Sequence, residues 1–341
     1  MDYPVLEDQW KIERNYQKKR VIVLEKPLVS IITPCFNGEP YLNRYFTSIL
    51  QQTYAPLELI FVNDGSSDRT AEIAESYRPL LDEKGIRFIY LYQENAGQAA
   101  ALNRGLKLFT GEYLTWPDAD DEMTPDCIEK KVAYLQAHPE YDMCICRIAQ
   151  TIEDEPEKTV APMERIVPNG EDDLFKDLIF LKNVFYCPGG YMVRTSTMDA
   201  VIPSREIYDG RGGQNAQILL PIAYRGKYGY MNDILYKYYI RSNSHSHGLN
   251  TSKKMIFQLE NFETILLETL KRMPNEVYEQ YQMKIQQHYA RLRFGNALDT
   301  RDPQIIRKYY LEISVLGIAT FMDWLHYMKN TPLLSRLSIL K

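Results

Sequence analysis

Residues 28–37 read LVSIITPCFN and residues 57–65 read LELIFVNDG. Each is a near-continuous apolar run that stops on turn-forming polar residues. That pattern predicts strands buried on both faces of a parallel sheet rather than strands with one wet face. Between them lie a turn from Asn37 to Pro40 and a helical stretch from Leu42 to Gln52. After the second run, Ser66 or Ser67 is placed to cap a helix reaching about Leu81, with Lys84-Gly85 beyond its end. The alternation continues with a strand at 86–92, a helix at about 97–108 and a strand at 112–116. That last strand runs into Pro117 and the acidic turn Asp118-Ala119-Asp120-Asp121, followed by a helix from Pro125 to Ala137 and a strand near 142–149. The series predicts an α/β fold with right-handed crossovers and a doubly wound, mainly parallel sheet. Ligands of such sheets sit beyond the carboxyl ends of the strands. Thr33, Pro34 and Asn37 end the first strand there, Asp64 the second, and Asp118 and Asp120 the fourth.

The chain has 341 residues, which suggests about two domains or one large domain with an appendage. A net charge of -5 argues against nucleic acid as a partner, because phosphate backbones require clustered Lys and Arg. Five cysteines (Cys35, Cys127, Cys144, Cys146, Cys187) form no C-x-x-C pair, which argues against a disulfide framework and a zinc knot. The opening MDYPVLEDQWKIERNYQKKR has no apolar stretch of the secretory kind, and no run approaches the ~18 apolar residues of a membrane span. The expectation is a reduced, cytoplasmic chain.

The second half is less regular. Residues 151–168 are polar with three prolines and read as a connector. A helix near 171–182, a strand-like CPGGYMVR, a loop from Pro203 to Gly213, a helix at about 214–225 and a strand at 230–241 follow. From about Thr251 the periodicity is helical, with breaks near Pro274, Pro303 and Pro332. Nine of the 26 tyrosines fall between Tyr186 and Tyr239; most are expected to be ordinary packing, but a ring with a hydroxyl handle also suits ligand stacking, Tyr186, Tyr191 and Tyr208 first among them.

Two carboxylates at i and i+2 on a turn can share one hard cation, and Mg²⁺ or Mn²⁺ held this way bridges substrate phosphates. Asp118 and Asp120 have that spacing. No G-x-G-x-x-G follows the first strand and no G-x-x-x-x-G-K-[ST] occurs, which removes dinucleotide dehydrogenases and P-loop ATPases.

Four segments together resemble the family 2 glycosyltransferases: VSIITPCFN (29–37), ELIFVNDGSSDRT (58–70), the N-x-G-x-x-x-A-x-N-x-G string from Asn95 to Gly105, and YLTWPDADD (113–121). The resemblance is strong over about 28–135 and fades past 247. It implies a GT-A nucleotide-sugar-binding fold over 28–250, after an N-terminal extension of 1–27. Residues 28–135 would form the nucleotide-sugar half and 136–250 the acceptor half, with 251–341 as a helical C-terminal region. It implies transfer, with inversion, of a sugar from a nucleotide-diphosphate donor (UDP favoured) to an acceptor hydroxyl, in surface polysaccharide or glycan synthesis. Thr33, Pro34 and Asn37 then cradle the nucleotide, Asp64 meets the base, and Asn95, Gly97, Arg104, Asp118 and Ala119 line the donor. Asp118 and Asp120 hold Mn²⁺ or Mg²⁺, with His247 of the Arg241–His247 string as a further ligand or phosphate donor. A saccharide or lipid-linked saccharide is the implied acceptor. A C-terminal stretch mixing Trp, Phe, Tyr and Leu with Arg336 and Lys341 allows peripheral contact with the inner membrane face, and the helices allow a homodimer.

One departure stands out. Where many members carry Gly-Glu-Asp, with the Asp as general base, this chain reads Gly213-Gln214-Asn215. An amide cannot take a proton near neutral pH. Three readings stay open: Asp209, or behind it Glu206, is the base; Gln214 and Asn215 bind acceptor through their amides; or the protein is an inactive, nucleotide-sugar-binding module. A sugar-1-phosphate nucleotidyltransferase is a further alternative, weakened because TPCFNGEP carries no Lys or Arg.

Overall fold

The structure, a computed structural model, describes residues 26–155, 157–158, 160–165, 172–210, 212–241 and 251–331. Its centre is a mixed sheet built from the predicted runs. Strands β1 (Val29–Cys35) and β2 (Leu57–Asp64) are buried along their whole length, as continuous apolar runs require. β3 (Arg87–Gln93), β4 (Tyr113–Thr115), β5 (Glu122–Met123), β6 (Met143–Ile152), β7 (Tyr191–Arg194) and β8 (Tyr228–Ile240) complete it, in the order β3-β2-β1-β4-β7-β6-β8-β5. β3, β2, β1 and β4 are parallel; β7 runs antiparallel between β4 and β6, and β8 is parallel to β6. Two reversals about β7 restore direction. The carboxyl ends of β1, β2, β4, β6 and β8 therefore all face one side, where the sequence places its special residues.

Helices α1 (Leu42–Leu50) and α5 (Cys127–Ala137) pack on one face of the sheet, in a core with Phe46, Phe61 and Val132. α4 (Gln98–Leu106), α6 (Leu174–Phe180) and α8 (Gln214–Arg225) cover the other face, with Ile32, Leu102 and Leu219. The helix expected up to Leu81 is instead two, α2 (Thr70–Ser76) and α3 (Arg78–Glu83). Pro79 at the head of α3 has no N–H to continue the ladder. Neither Ser66 nor Ser67 caps it: Ser66 Oγ accepts from the Asn37 amide, and Asp68 Oδ1 accepts from the Thr70 amide. A short α7 (Thr195–Val201) and the two-residue β5 have no counterpart in the sequence reading.

The C-terminal helices are α9 (Ser252–Leu270), α10 (Asn275–Thr300), α11 (Pro303–Val315) and α12 (Phe321–Asn330). Leu259, Leu266, Ile285 and Tyr289 of α9 and α10 enter the same core as α6 and α8. Arg293, 3% exposed, is neutralised by Glu263 and by Glu312 at 2.5 Å. No described helix is long and apolar enough to cross a membrane.

Candidate active site

The turn after β4 carries the densest charge in the molecule. One carboxylate oxygen each from Asp118, Asp120 and Asp121 lies within 4.8 Å of the others. Asp118 Oδ1 accepts from Gln98 Nε2 at 2.8 Å, and its amide donates to Tyr236 Oη at 3.2 Å. Asp121 is 1% exposed; its Oδ1 accepts from the Tyr239 amide at 3.0 Å. Its Oδ2 is buried and accepts no hydrogen bond among the described residues. Burial first, then the charge of Asp120, pushes Asp118 up to about 8, and the same two causes hold Asp121 well above the ordinary carboxylate value.

Two guanidiniums face this turn. Arg241, just past β8, pairs with Asp120 and lies 4.1 Å from the centre of the Tyr41 ring. Arg44 of α1 donates to the Asp120 carbonyl at 2.6 Å and to Glu153 at 2.9 Å, with the Tyr239 ring 3.5 Å beneath it. Glu153 follows β6 and Arg241 follows β8, so the parallel pairing of those strands delivers both. The Nε–H groups of Arg44 and Arg241 are buried without a hydrogen-bond acceptor among the described residues. With all four ionised, four carboxylates would meet two guanidiniums, an excess of two negative charges that the raised values of Asp118 and Asp121 show the site holds only with added protons or a cation. Hard oxygen donors with one orphaned and a net deficit of two positive charges fit a divalent cation such as Mg²⁺ or Mn²⁺.

A second group of residues lies one helix terminus away. Asp64, 3% exposed, accepts from Gln93 Nε2 at 2.6 Å and from the amides of Ala96 and Gly97, each at 2.9 Å. Asn95 Nδ2 donates to the Asp64 carbonyl at 3.1 Å. Gly65 makes this possible: its φ is +74°, and a Cβ there would sit 2.5 Å from the Asn95 amide nitrogen. The next residue, Gln98, is the one that reaches Asp118, so the N-terminus of α4 links Asp64 to the acidic turn. Asn37, at φ 50°, bridges β1 to the loop after β2 through Ser66 and Ser67. Thr33 is fully buried; its Oγ1 lies 2.5 Å from Tyr45 Oη and donates to the Pro117 carbonyl at 3.1 Å, tying the ends of β1 and β4. Pro34 pairs beside Val62 in the sheet, and Ala119 is packed in the core.

The other expected residues make no hydrogen bond to the acidic turn among the described residues. Arg104 is exposed and donates to the Tyr92 carbonyl at 2.6 Å. Gln214 is 7% exposed at the head of α8. Asn215, equally buried, accepts from Trp116 Nε1 at 3.0 Å and donates from Nδ2 to the Tyr186 carbonyl at 3.0 Å. Because indole only donates and a carbonyl only accepts, this arrangement calls for an amide. Asp209 is exposed and has no hydrogen-bond or ion-pair partner among the described residues, whereas Glu206 pairs with Lys107 at 2.8 Å. His247 lies outside the described residues. Of the two tyrosine roles expected, Tyr186 and Tyr191 take packing: their hydroxyls donate inward, to the carbonyls of Leu178 and Phe185. Tyr191 is 2% exposed and stacked on Trp116. Sequence reasoning passed over Asp121, although it stands in the D-A-D-D string, and also Gln98, Arg44 and Glu153.

A mainly parallel sheet with acidic residues at the carboxyl end of its fourth strand defines a Rossmann-like α/β protein whose ligand crevice lies at that edge. The sequence model of Glycosyl transferase family 2 matches residues 30–238, and the chain belongs to that family. An uncharacterized glycosyltransferase of Rickettsia typhi is 42% identical over 119 residues, 35% of each chain. Glycosyltransferase GlyA of Streptococcus pneumoniae is 40% identical over 112 residues, 32% of this chain and 16% of that one. The putative glycosyltransferase EpsH of Bacillus subtilis is 36% identical over 131 residues, 38% of this chain and 36% of that one. The chain thus spans about a third or less of the length of these curated relatives. Among solved structures, S. aureus TarS 1-349 in complex with UDP-GlcNAc aligns with a TM-score of 0.58 at 15% identity, covering 89% of this chain and 88% of that one. Mannosyltransferase PcManGT of Pyrobaculum calidifontis, in complex with GDP-Man and Mn2+, aligns with a TM-score of 0.51 at 14% identity, over 93% and 81%. The fold is GT-A.

Proposed function

We propose that the chain transfers a sugar from a nucleotide-diphosphate donor, UDP favoured, to an acceptor hydroxyl, with a divalent cation held by Asp118, Asp120 and Asp121. The acidic turn carries this reading: three carboxylates within 4.8 Å, one with an orphaned buried oxygen, opposite two guanidiniums with unused N–H donors. The two arginines suit a diphosphate, which takes several charge-assisted hydrogen bonds at once. The Asp64–Gly97 turn and the β1 edge at Asn37 suit the nucleoside end, as the family resemblance implies. When bound, the cation neutralises charge that develops on the departing diphosphate. Gln98 and Tyr236 orient Asp118, while Arg44 fixes the Asp120 carbonyl. In this reading Asp209 removes the acceptor proton, since it is the carboxylate of its loop left without an ion-pair partner. Inversion follows if one carboxylate acts opposite the leaving group. The acceptor is a saccharide, free or lipid-linked, of the kind used in surface glycans.

The test is nucleotide release from a panel of UDP- and GDP-sugars with Mn²⁺ and oligosaccharide acceptors. Asp120→Asn should lower turnover by roughly 10²-fold or more, because charge stabilisation of a leaving group is worth several kcal/mol. Release that survives both this substitution and EDTA would refute metal-assisted transfer. Asn215 favours a second reading, a non-catalytic nucleotide-sugar-binding module. Saturable donor binding with no release on any acceptor would establish it.

A further inference from the structure

We propose, on the reading of the acidic turn as a cation site, that Lys131 is a positioning residue for that turn, acting through Gly189 and Tyr236. The apolar stripe of α5 is Cys127, Ile128, Val132 and Leu135, and Lys131 stands within it at 0% exposure. Its neighbour Lys130 behaves as lysines ordinarily do, at the surface between Asp126 and Asp233. Lys131 pairs with no carboxylate among the described residues. Besides one carbonyl, its polar neighbours are the buried thiols of Cys127, Cys144 and Cys146. Taking an ammonium out of water is costly, and a methionine or leucine would fill the same space without that cost. What separates lysine from either is its donor, so its role lies in what that donor holds.

Lys131 Nζ donates to the Gly189 carbonyl at 2.5 Å. Gly189 sits in the 3₁₀ turn Pro188–Gly190 that leads into β7. A Cβ on Gly189 would overlap Cδ2, Cε2 and Cζ of the Tyr236 ring, so that ring lies directly on the backbone of the turn. Tyr236 is itself fully buried, and its Oη accepts from the Asp118 amide at 3.2 Å. Lys131, Gly189, Tyr236 and Asp118 thus form one run of contacts from the interior to the acidic turn. The Cys187 thiol, at the head of the same 3₁₀ turn, feels the charges of Asp121, Asp118 and Lys131 together, so the ammonium and the acids share one neighbourhood. A charged donor binds a carbonyl more strongly than a neutral one and fixes its place. With the Gly189 backbone fixed, the Tyr236 hydroxyl is held against Asp118. Groups that stand behind metal ligands in this way orient them.

The test is the Mn²⁺ affinity of the full chain, read from the electron paramagnetic resonance of the free ion, for wild type, Lys131→Met, Tyr236→Phe and the double variant. Lys131→Met keeps the stem and removes the donor, and should weaken Mn²⁺ binding roughly tenfold. Tyr236→Phe removes the acceptor of the Asp118 amide and should do the same. Because both act along one path, the double variant should bind no more weakly than the weaker single variant. Lys131→Gln puts a neutral N–H in place of the ammonium. It should bind Mn²⁺ more tightly than Lys131→Met, and it serves in its place if methionine impairs folding. Val132→Ala, on the same helix and 2% exposed, should lower the melting temperature yet keep Mn²⁺ affinity within about twofold, which separates positioning from loosening of α5. Equal Mn²⁺ binding by wild type and Lys131→Met would overturn the proposal and leave the cation site standing. So would tighter binding by Lys131→Met, the result if its charge only repels the cation, or losses that add in the double variant. Absence of Mn²⁺ binding by the unsubstituted chain would overturn the cation reading and this one with it.

Discussion

Replacing Asn215 by Asp would restore the residue that many family members use as base, yet the structure predicts a weaker protein and no faster one. Asn215 accepts from Trp116 Nε1 and donates to the Tyr186 carbonyl, both at 3.0 Å, at 7% exposure. A carboxylate keeps the first bond but turns its second oxygen onto the Tyr186 carbonyl. Leaving that carbonyl unpaired costs about 1–3 kcal/mol, and burying the new charge adds several more. The alternative is to bind a proton and donate as Asn215 does. At pH 7 that costs about 4 kcal/mol, from ~3 pH units above a reference near 3.9 at ~1.36 kcal/mol each. Protonation therefore sets a ceiling of about 4 kcal/mol.

The sign with pH follows. The folded state raises the pKa of the introduced carboxyl, so it binds more protons than the unfolded chain. The variant is then closest to wild type near pH 4 and loses ground as pH rises toward the folded-state pKa. At pH 5 the ceiling is about 1.5 kcal/mol, against about 4 at pH 7. Thermal unfolding at the two pH values reads this directly, as a deficit of roughly 4–8 °C at pH 7 that shrinks by more than half at pH 5. Nucleotide release should not rise. An Asn215→Asp variant with wild-type melting temperature and faster release would mean that the position is an open catalytic site, and the latch to Trp116 would be refuted.

Two further outcomes follow from packing and titration. Gly189→Ala would place a Cβ 1.9 Å from Cε2 of the fully buried Tyr236 ring, whose hydroxyl accepts from the Asp118 amide. Overpacking there should cost about 1–3 kcal/mol and weaken Mn²⁺ binding measured by calorimetry, whereas Gly295→Ala, in α10 with no atom within 4 Å of the added Cβ, should leave binding unchanged. His288 is held below its ordinary pKa by burial and then by Lys182. Folding therefore disfavours its proton, so stability should be level above about pH 6.5 and fall below it, and His288→Gln should flatten that acid limb in urea titrations.

How far the sequence carried the fold depended on how local each cause was. β1, β2 and α8 were legible because full burial writes itself as uninterrupted apolar runs. The break between α2 and α3 rests on Pro79, which was visible but lay inside a favourable helical period. Asp118 and Asp120 were legible from their spacing only together with their place at the carboxyl end of a buried strand and the family resemblance. Asp121 was not, because only the Tyr239 amide, 118 positions away, turns it into the site. Arg44, Glu153 and Arg241 meet there through the reversal at β7, and strand order is not written in any one strand. Which tyrosines pack and which face a ligand was not legible for a related reason. Their abundance was plain, but the carbonyls that take the hydroxyls of Tyr186 and Tyr191 are set by backbone geometry.

That distinction gives Asp121 a test of its own. If the acidic turn is built to be completed by a cation, its buried, unpaired oxygen is a liability whenever none is bound. Asp121→Asn keeps the bond from the Tyr239 amide and removes a buried carboxyl that cannot ionise beside two other carboxylates without cost. In EDTA the variant should therefore be more stable than wild type, by about 1–3 kcal/mol for relief of an uncompensated buried group. With Mn²⁺ at about 100 times its dissociation constant the wild type should gain about 2.7 kcal/mol, and the variant should gain little. The variant's advantage then shrinks by about 2.7 kcal/mol between the two buffers, and the order of melting temperatures inverts where that advantage is smaller. A purely structural aspartate gives the opposite result, a variant weaker in both buffers by the same amount. That outcome would remove Asp121 from the cation site and leave Asp118 and Asp120 to hold it alone.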